Sequence, residues 1–143
     1  MKVYIGSDHA GFELKNKLVK YLEKQGFETL DLGTDSKESV DYPDYAFAVA
    51  GKVQKDKQSI GILICDTGIG MSIAANKKQG IRAALIHDKF GAERSRQHND
   101  ANVICFGGSV VSAEKAKKLL KIFMETKSST VPRHKRRVKK LNC

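Results

Sequence analysis

Tryptophan is missing from the 143 residues, cysteine occurs only three times, and no apolar run is long enough to cross a bilayer. Each shortage excludes a class of protein. Cys65, Cys105 and Cys143 are odd in number and none sits in a Cys-x-x-Cys spacing, which argues against a disulfide framework and structural zinc; a reducing cytoplasm is the expected compartment. A bilayer span needs about 20 consecutive apolar residues and a secretory leader needs an apolar h-region. The sequence has neither, so no membrane partner is expected. No aromatic stacking set and no nucleic-acid recognition motif accompany the basic side chains, so nucleic acid is not expected as a partner either, despite a net charge of +10. Much of that excess is local. Arg133, Lys135, Arg136, Arg137, Lys139 and Lys140 crowd the last eleven residues, and most of this basic segment, 131–143, reads as a solvated helix.

What is present suffices for one compact domain over residues 1–143. Residues 3–5 read as a strand ended by Gly6; Phe12, Leu14, Leu18, Tyr21 and Leu22 then follow at helical spacing up to Gly26, a C-cap. Residues 27–32 read as a second strand. Pro43 suits the first turn of the next helix, whose apolar face is Tyr45, Ala46, Val49, Ala50 and Val53. Residues 60–64, 81–86 and 103–106 are three further apolar runs. A polar helix from about residue 89 to 97 follows the fourth, and after the fifth Ser112 caps a helix that turns Ala116, Leu119, Leu120 and Phe123 inward. Parallel crossovers need helix-length connections, so five short strands separated by helices predict an α/β fold: a doubly wound α/β/α sandwich on a five-stranded parallel sheet.

The stretch 60–77, I-G-I-L-I-C-D-T-G-I-G-M-S-I-A-A-N-K, is the point on which function turns. A strand buried on both faces delivers Cys65 into a turn containing Gly68 and Gly70, and residues 71–77 are helix-compatible. The first N–H groups of a helix have no partner within it and can bind an anion, so the turn sets a thiol beside an oxyanion cradle. A buried cysteine is equally a small hydrophobe. In doubly wound sheets, however, ligands bind beyond the carboxyl ends of the strands. That rule gathers 6–9, 65–68, 87–88 and 107–109 at one edge, with Asp8, His9, Cys65 and Thr67 among them.

Five motifs in order, G-S-D-H-A-G at 6–11, D-Y-P-D-Y-A at 41–46, C-D-T-G-I-G-M-S-I-A-A-N-K from Cys65, S-R-Q-H-N-D at 95–100 and R-H-K-R-R-V at 133–138, resemble ribose-5-phosphate isomerase type B. The resemblance implies a Rossmann-like, metal-free, cofactor-free sugar-phosphate isomerase. Its substrate would be D-ribose 5-phosphate or, alternatively, a six-carbon sugar phosphate such as allose 6-phosphate or galactose 6-phosphate. It also implies a homodimer or a tetramer, with a site shared between chains. By the same resemblance Cys65 is the base, His98 the acid of ring opening, and Thr67 lies over the ring oxygen. The N–H groups of the turn at Gly68, Ile69, Gly70 and Met71 form the anion hole. Asp8 and Asn99 bind sugar hydroxyls, Tyr42 lines the pocket, and His9, Arg133 and Arg137 hold the phosphate. His98 and Asn99 come from the neighbouring chain. Two positions depart from the family pattern: Asp66 stands where a small uncharged residue is usual, and Ser109 where an arginine is frequent. Outside the motifs His87 is expected to be structural, His134 solvent-facing, Cys105 core, and Cys143 a terminal thiol without a role.

Overall fold

The computed structural model describes residues 1–142, so Cys143 lies outside the described residues. Five strands, β1 (Lys2–Ser7), β2 (Glu28–Asp31), β3 (Ile60–Cys65), β4 (Ala83–Leu85) and β5 (Val103–Gly107), form one parallel sheet in the order β2-β1-β3-β5-β4. The helices are α1 (Phe12–Lys24), α2 (Tyr42–Lys55), α3 (Ile69–Ala75), α4 (Lys89–Asn99), α5 (Ala113–Glu125) and α6 (Pro132–Leu141).

Side chains alternate along each strand, so each buried strand feeds two cores. Val3, Ile5, Ile62, Ile64, Ile104 and Phe106 meet Leu18 and Leu22 of α1, Ala92 of α4, and Leu120 and Phe123 of α5 on one face. Tyr4, Leu63, Val103 and Cys105 meet Val49 and Val53 of α2 and Met71 of α3 on the other. Each fully buried Leu, Ile or Phe contributes about 1.5–3 kcal/mol, so these two clusters hold the three layers together. The predicted α/β/α sandwich is thus observed, Cys105 included in its core.

Two element ends differ from the sequence pattern for local reasons. The apolar run at 81–86 pairs as a strand only from Ala83, because the Arg82 N–H is taken by the Asn102 side chain at 2.8 Å. The third helix starts at Ile69, two residues early, because Gly68 at φ +79° turns the chain directly out of β3. Gly26, at φ +85°, ends α1 as expected: its N–H reaches Glu23 O at 2.9 Å and that of Phe27 reaches Leu22 O at 3.1 Å, the paired bonds of a Schellman cap.

The strand order fixes the crevice. From β1 the chain crosses to β2 on one side, and from β3 to β4 on the other, so the adjacent carboxyl ends of β1 and β3 are the topological switch point.

Candidate active site

At that switch point the turns after β1, β3 and β5 are packed backbone to backbone. A Cβ on Gly11 would stand 2.5 Å from the Ile64 carbonyl oxygen, one on Gly107 2.7 Å from Thr67 carbonyl atoms, and one on Gly108 2.9 Å from the Ala10 carbonyl oxygen. The Gly108 N–H donates to the Cys65 carbonyl at 2.8 Å, and the Asp8 N–H to that of Ile64 at 3.3 Å. Only glycine permits such approaches, and they clamp the three turns into one surface.

Cys65 is the last residue of β3 and is buried at 5% exposure; its Sγ accepts the Gly68 N–H at 3.1 Å. The sulfur therefore stands at the N-terminus of α3, the end of a helix that carries partial positive charge. Ile69 N–H donates to Thr67 Oγ1 at 3.2 Å. Among the described residues the N–H groups of Gly70 and Met71 have no protein acceptor and remain open to an anion. Tyr42, at the start of α2, lies over them: a Cβ on Gly70 would come within 2.6 Å of its ring.

Asp8 is buried at 5% exposure, and its Oδ1 accepts the N–H groups of Ala10 and Gly11 at 3.0 and 3.1 Å, which shapes the entry to α1 and leaves Oδ2 without a protein partner among the described residues. The Val40 N–H donates to His9 Nδ1 at 3.2 Å. With Nδ1 accepting that bond, Nε2 is the ring nitrogen left to donate.

The remaining predicted residues are elsewhere in the chain. A helix that follows a parallel strand returns to the amino edge of the sheet, and His98 and Asn99 are the last residues of α4, exposed near that edge. Beneath them Asp100, at φ 46°, binds Arg82 at 3.2 Å and Arg96 at 3.1 Å. α6 packs on α4. Its Arg133 and Arg137, one helical turn apart, are exposed and have no acidic partner among the described residues. One chain therefore gathers Asp8, His9, Tyr42, Cys65, Thr67 and 68–71 at one end of the sheet and holds His98, Asn99, Arg133 and Arg137 at the other.

His134 corrects its expectation. It is half-buried rather than solvent-facing, its ring centroid 4.4 Å from that of His98, with Nδ1 buried and unpartnered. Burial holds its pKa below the ordinary 6.5, helped by His98, Arg133, Arg137 and Arg94. The clue in the sequence is its spacing of four from Val138 and seven from Leu141, the apolar side chains of α6 on the same face. His87 is exposed. Burial pushes the Cys105 thiol up strongly, with Cys65 adding to the effect, as suits a core side chain. The Asp66 carboxylate, adjacent to the thiol in sequence, accepts a hydrogen bond from the Ser109 hydroxyl, so the two positions that depart from the family pattern touch each other. A cavity of about 670 Å³ is lined by Lys57, Ser59, Arg82, Asp100 and Asn102 at the amino edge of the sheet, away from Cys65.

Comparison with known proteins agrees with this geometry. Residues 3–141 match the ribose/galactose isomerase family. The chain is 45% identical to ribose-5-phosphate isomerase B of Escherichia coli, over 99% of this chain and 95% of that one. Its fold superposes on the ribose-5-phosphate isomerase B structures of Clostridium thermocellum (TM-score 0.96, 44% identity, 99% of this chain and 95% of that one) and Thermotoga maritima (TM-score 0.95, 46% identity, 99% and 97%). With a match spanning nearly the whole chain and relatives well above 30% identity, this protein belongs to the ribose/galactose isomerase family of sugar-phosphate isomerases.

Proposed function

We propose that the protein interconverts D-ribose 5-phosphate and D-ribulose 5-phosphate, an aldose–ketose step of the non-oxidative pentose phosphate pathway, in the cytoplasm. The observation that carries this reading is the Cys65 Sγ bonded to Gly68 N–H beside the open N–H groups of Gly70 and Met71. Moving a proton between C2 and C1 requires a base at the carbon and donors at the oxygen on which charge develops. The Cys65 thiolate removes the C2 proton; the resulting cis-enediolate is held by the open N–H groups of Gly70 and Met71; the Cys65 thiol returns the proton to C1 while the hydroxyl proton on O2 passes to O1, leaving a C2 carbonyl and a C1 hydroxyl. No electron leaves the substrate. A positioned base contributes roughly 10²–10⁴-fold, and one oxyanion donor about 3–4 kcal/mol.

Around this centre His98 protonates the ring oxygen as the furanose opens, with Thr67 over the same atom. Asp8 Oδ2 and Asn99 bind hydroxyls, and Tyr42 walls the pocket. The phosphate is taken by His9 Nε2–H and by the forked guanidinium groups of Arg133 and Arg137, which suit a phosphate geometrically. Because the two groups of residues sit at opposite ends of the sheet, the working unit is a homodimer in which each site takes His98, Asn99, Arg133 and Arg137 from the other chain. Ile69 and Ile73 of α3 and Phe47 of α2, each more than 40% exposed, supply apolar surface for such contact. The whole chain acts as one domain, its basic segment supplying phosphate ligands.

A coupled assay of the purified protein on ribose 5-phosphate, allose 6-phosphate and galactose 6-phosphate tests the assignment, with ribose 5-phosphate expected to give the highest kcat/KM. A six-carbon sugar turning over faster would transfer the same chemistry to that substrate. Exchange of the C2 proton with deuterated solvent is expected during turnover, and its complete absence would replace the enediolate with hydride transfer.

A further inference from the structure

The turn after β5 makes three hydrogen bonds to the thiol segment. Gly108 N–H donates to the Cys65 carbonyl at 2.8 Å, Ser109 N–H to the Asp66 carbonyl at 3.1 Å, and the Ser109 hydroxyl to Asp66 Oδ1. The first two fix the backbone; the third acts on the charge nearest in sequence to the thiol. Successive side chains of β3 alternate: Ile64 packs on the face of α1 and α5, and Cys65 on the face of α2 and α3. Asp66, the first residue beyond β3, meets Ser109 in the turn that leads into α5.

We propose that Ser109 is a positioning residue: by hydrogen-bonding the Asp66 carboxylate onto the α5 side of the sheet edge, it keeps that negative charge away from Cys65 and so preserves the reactive thiolate. Both side chains are exposed, so an unbound carboxylate is free to swing toward the crevice, where it would oppose a second negative charge. The other ionisable groups around Cys65 do not replace this control. α3 carries no acidic side chain in its first turn. α2 contributes Tyr42 and Tyr45, its carboxylates Asp41 and Asp44 being exposed at its start, and β5 contributes Cys105, a thiol held protonated by burial. Asp8, after β1, is tied by Oδ1 to two backbone N–H groups. Asp66 is the carboxylate whose direction depends on one hydroxyl.

The inference rests on the reading of Cys65 as a base, but its test does not require turnover. The thiolate absorbance of the folded protein is titrated against pH, with Cys65→Ser as the blank. Ser109→Ala is expected to raise the midpoint by about 0.5–1 pH unit, the scale of a like charge brought several ångströms closer in partly solvated surroundings. Ser109→Thr, which keeps the hydroxyl, is expected to restore it. The double variant Asp66→Asn/Ser109→Ala is expected to match Asp66→Asn alone, since Ser109 acts through that carboxylate. An unchanged midpoint in Ser109→Ala, or the same rise with Asp66→Asn present, overturns the proposal. If the midpoint moves as expected while none of the sugar phosphates is turned over, the positioning role stands and the isomerase reading falls.

Discussion

The two ends of the sheet are built by opposite means. At the carboxyl edge Asp8 and Cys65 are nearly buried, the open anion donors are backbone N–H groups, and glycines at 11, 68, 107 and 108 let the turns after β1, β3 and β5 pack in direct contact. At the amino edge, where α4 ends and α6 packs on it, the functional atoms are the tips of long exposed side chains over an Arg82–Asp100–Arg96 anchor. The difference matches the chemistry asked of each. Abstracting a proton and holding an oxyanion depend on sub-ångström placement, whereas a phosphate dianion can be gathered by flexible cations. For the proposed reaction the first end is the rigid one, closely packed around a base, and the second the tolerant one, gathering charge with exposed side chains.

The largest expected effect breaks the rigid end chemically. Cys65→Ala is expected to lower kcat roughly 10³-fold without loss of fold, the scale of a deleted general base; wild-type turnover in that variant would remove the base from the mechanism. The comparison is sharpened by mixing. Cys65→Ala and His98→Asn proteins are each expected to be inactive, but subunit exchange between equal amounts restores roughly a quarter of wild-type turnover, because half the dimers are hybrids with one intact site of two. No recovery after verified exchange would mean that each site draws on a single chain. Gly68→Ala attacks the packing of the same end. Its φ of +79° disfavours a side chain, and the new Cβ would lie 2.6 Å from Leu85 and 2.8 Å from Phe106 backbone. A loss of about 2–4 kcal/mol in denaturant unfolding is expected. Gly26→Ala, at nearly the same φ with nothing within 4 Å, is the control, with a loss of about 1 kcal/mol. At the tolerant end, Arg137→Ala is expected to raise KM about 10–100-fold with little change in kcat, as for one lost guanidinium–phosphate contact.

The rigid end was also the more legible in sequence. Strand runs, the switch-point rule and the glycine turn were enough to bring Asp8, His9, Cys65 and Thr67 to one edge, because these signals lie within a few residues of each strand end. The bond that the Val40 N–H makes to His9 and the bond from Ser109 to Asp66 were not legible, since each joins turns 31 and 43 residues apart that only the closed sheet makes neighbours. His134 was misread for a different reason. A run of cations masks the periodicity of α6, and only Val138 and Leu141, four and seven residues beyond His134, mark that face. Arg133 and Arg137 were picked out by motif alone, since nothing in their local spacing separates them from Lys135 or Lys140.

The smallest effect tests whether the tolerant end is tuned at all. The pKa of His134 in α6 is held below 6.5 by burial first and by the nearby His98, Arg133, Arg137 and Arg94 second. A lowered folded value means that the unfolded chain takes up the proton at higher pH than the folded chain does. The stability that this group contributes is therefore complete above 6.5 and is lost as pH falls through the lower folded value. The urea midpoint is expected to decline as pH drops below 6.5, and His134→Gln, which cannot take up the charge, is expected to decline less. Equal declines in the two proteins would assign the acid sensitivity elsewhere and leave the His98–His134 stack a packing contact. A smaller decline in the variant would mean that protonating His134 loosens α6 from α4, and with it the helix that presents Arg133 and Arg137.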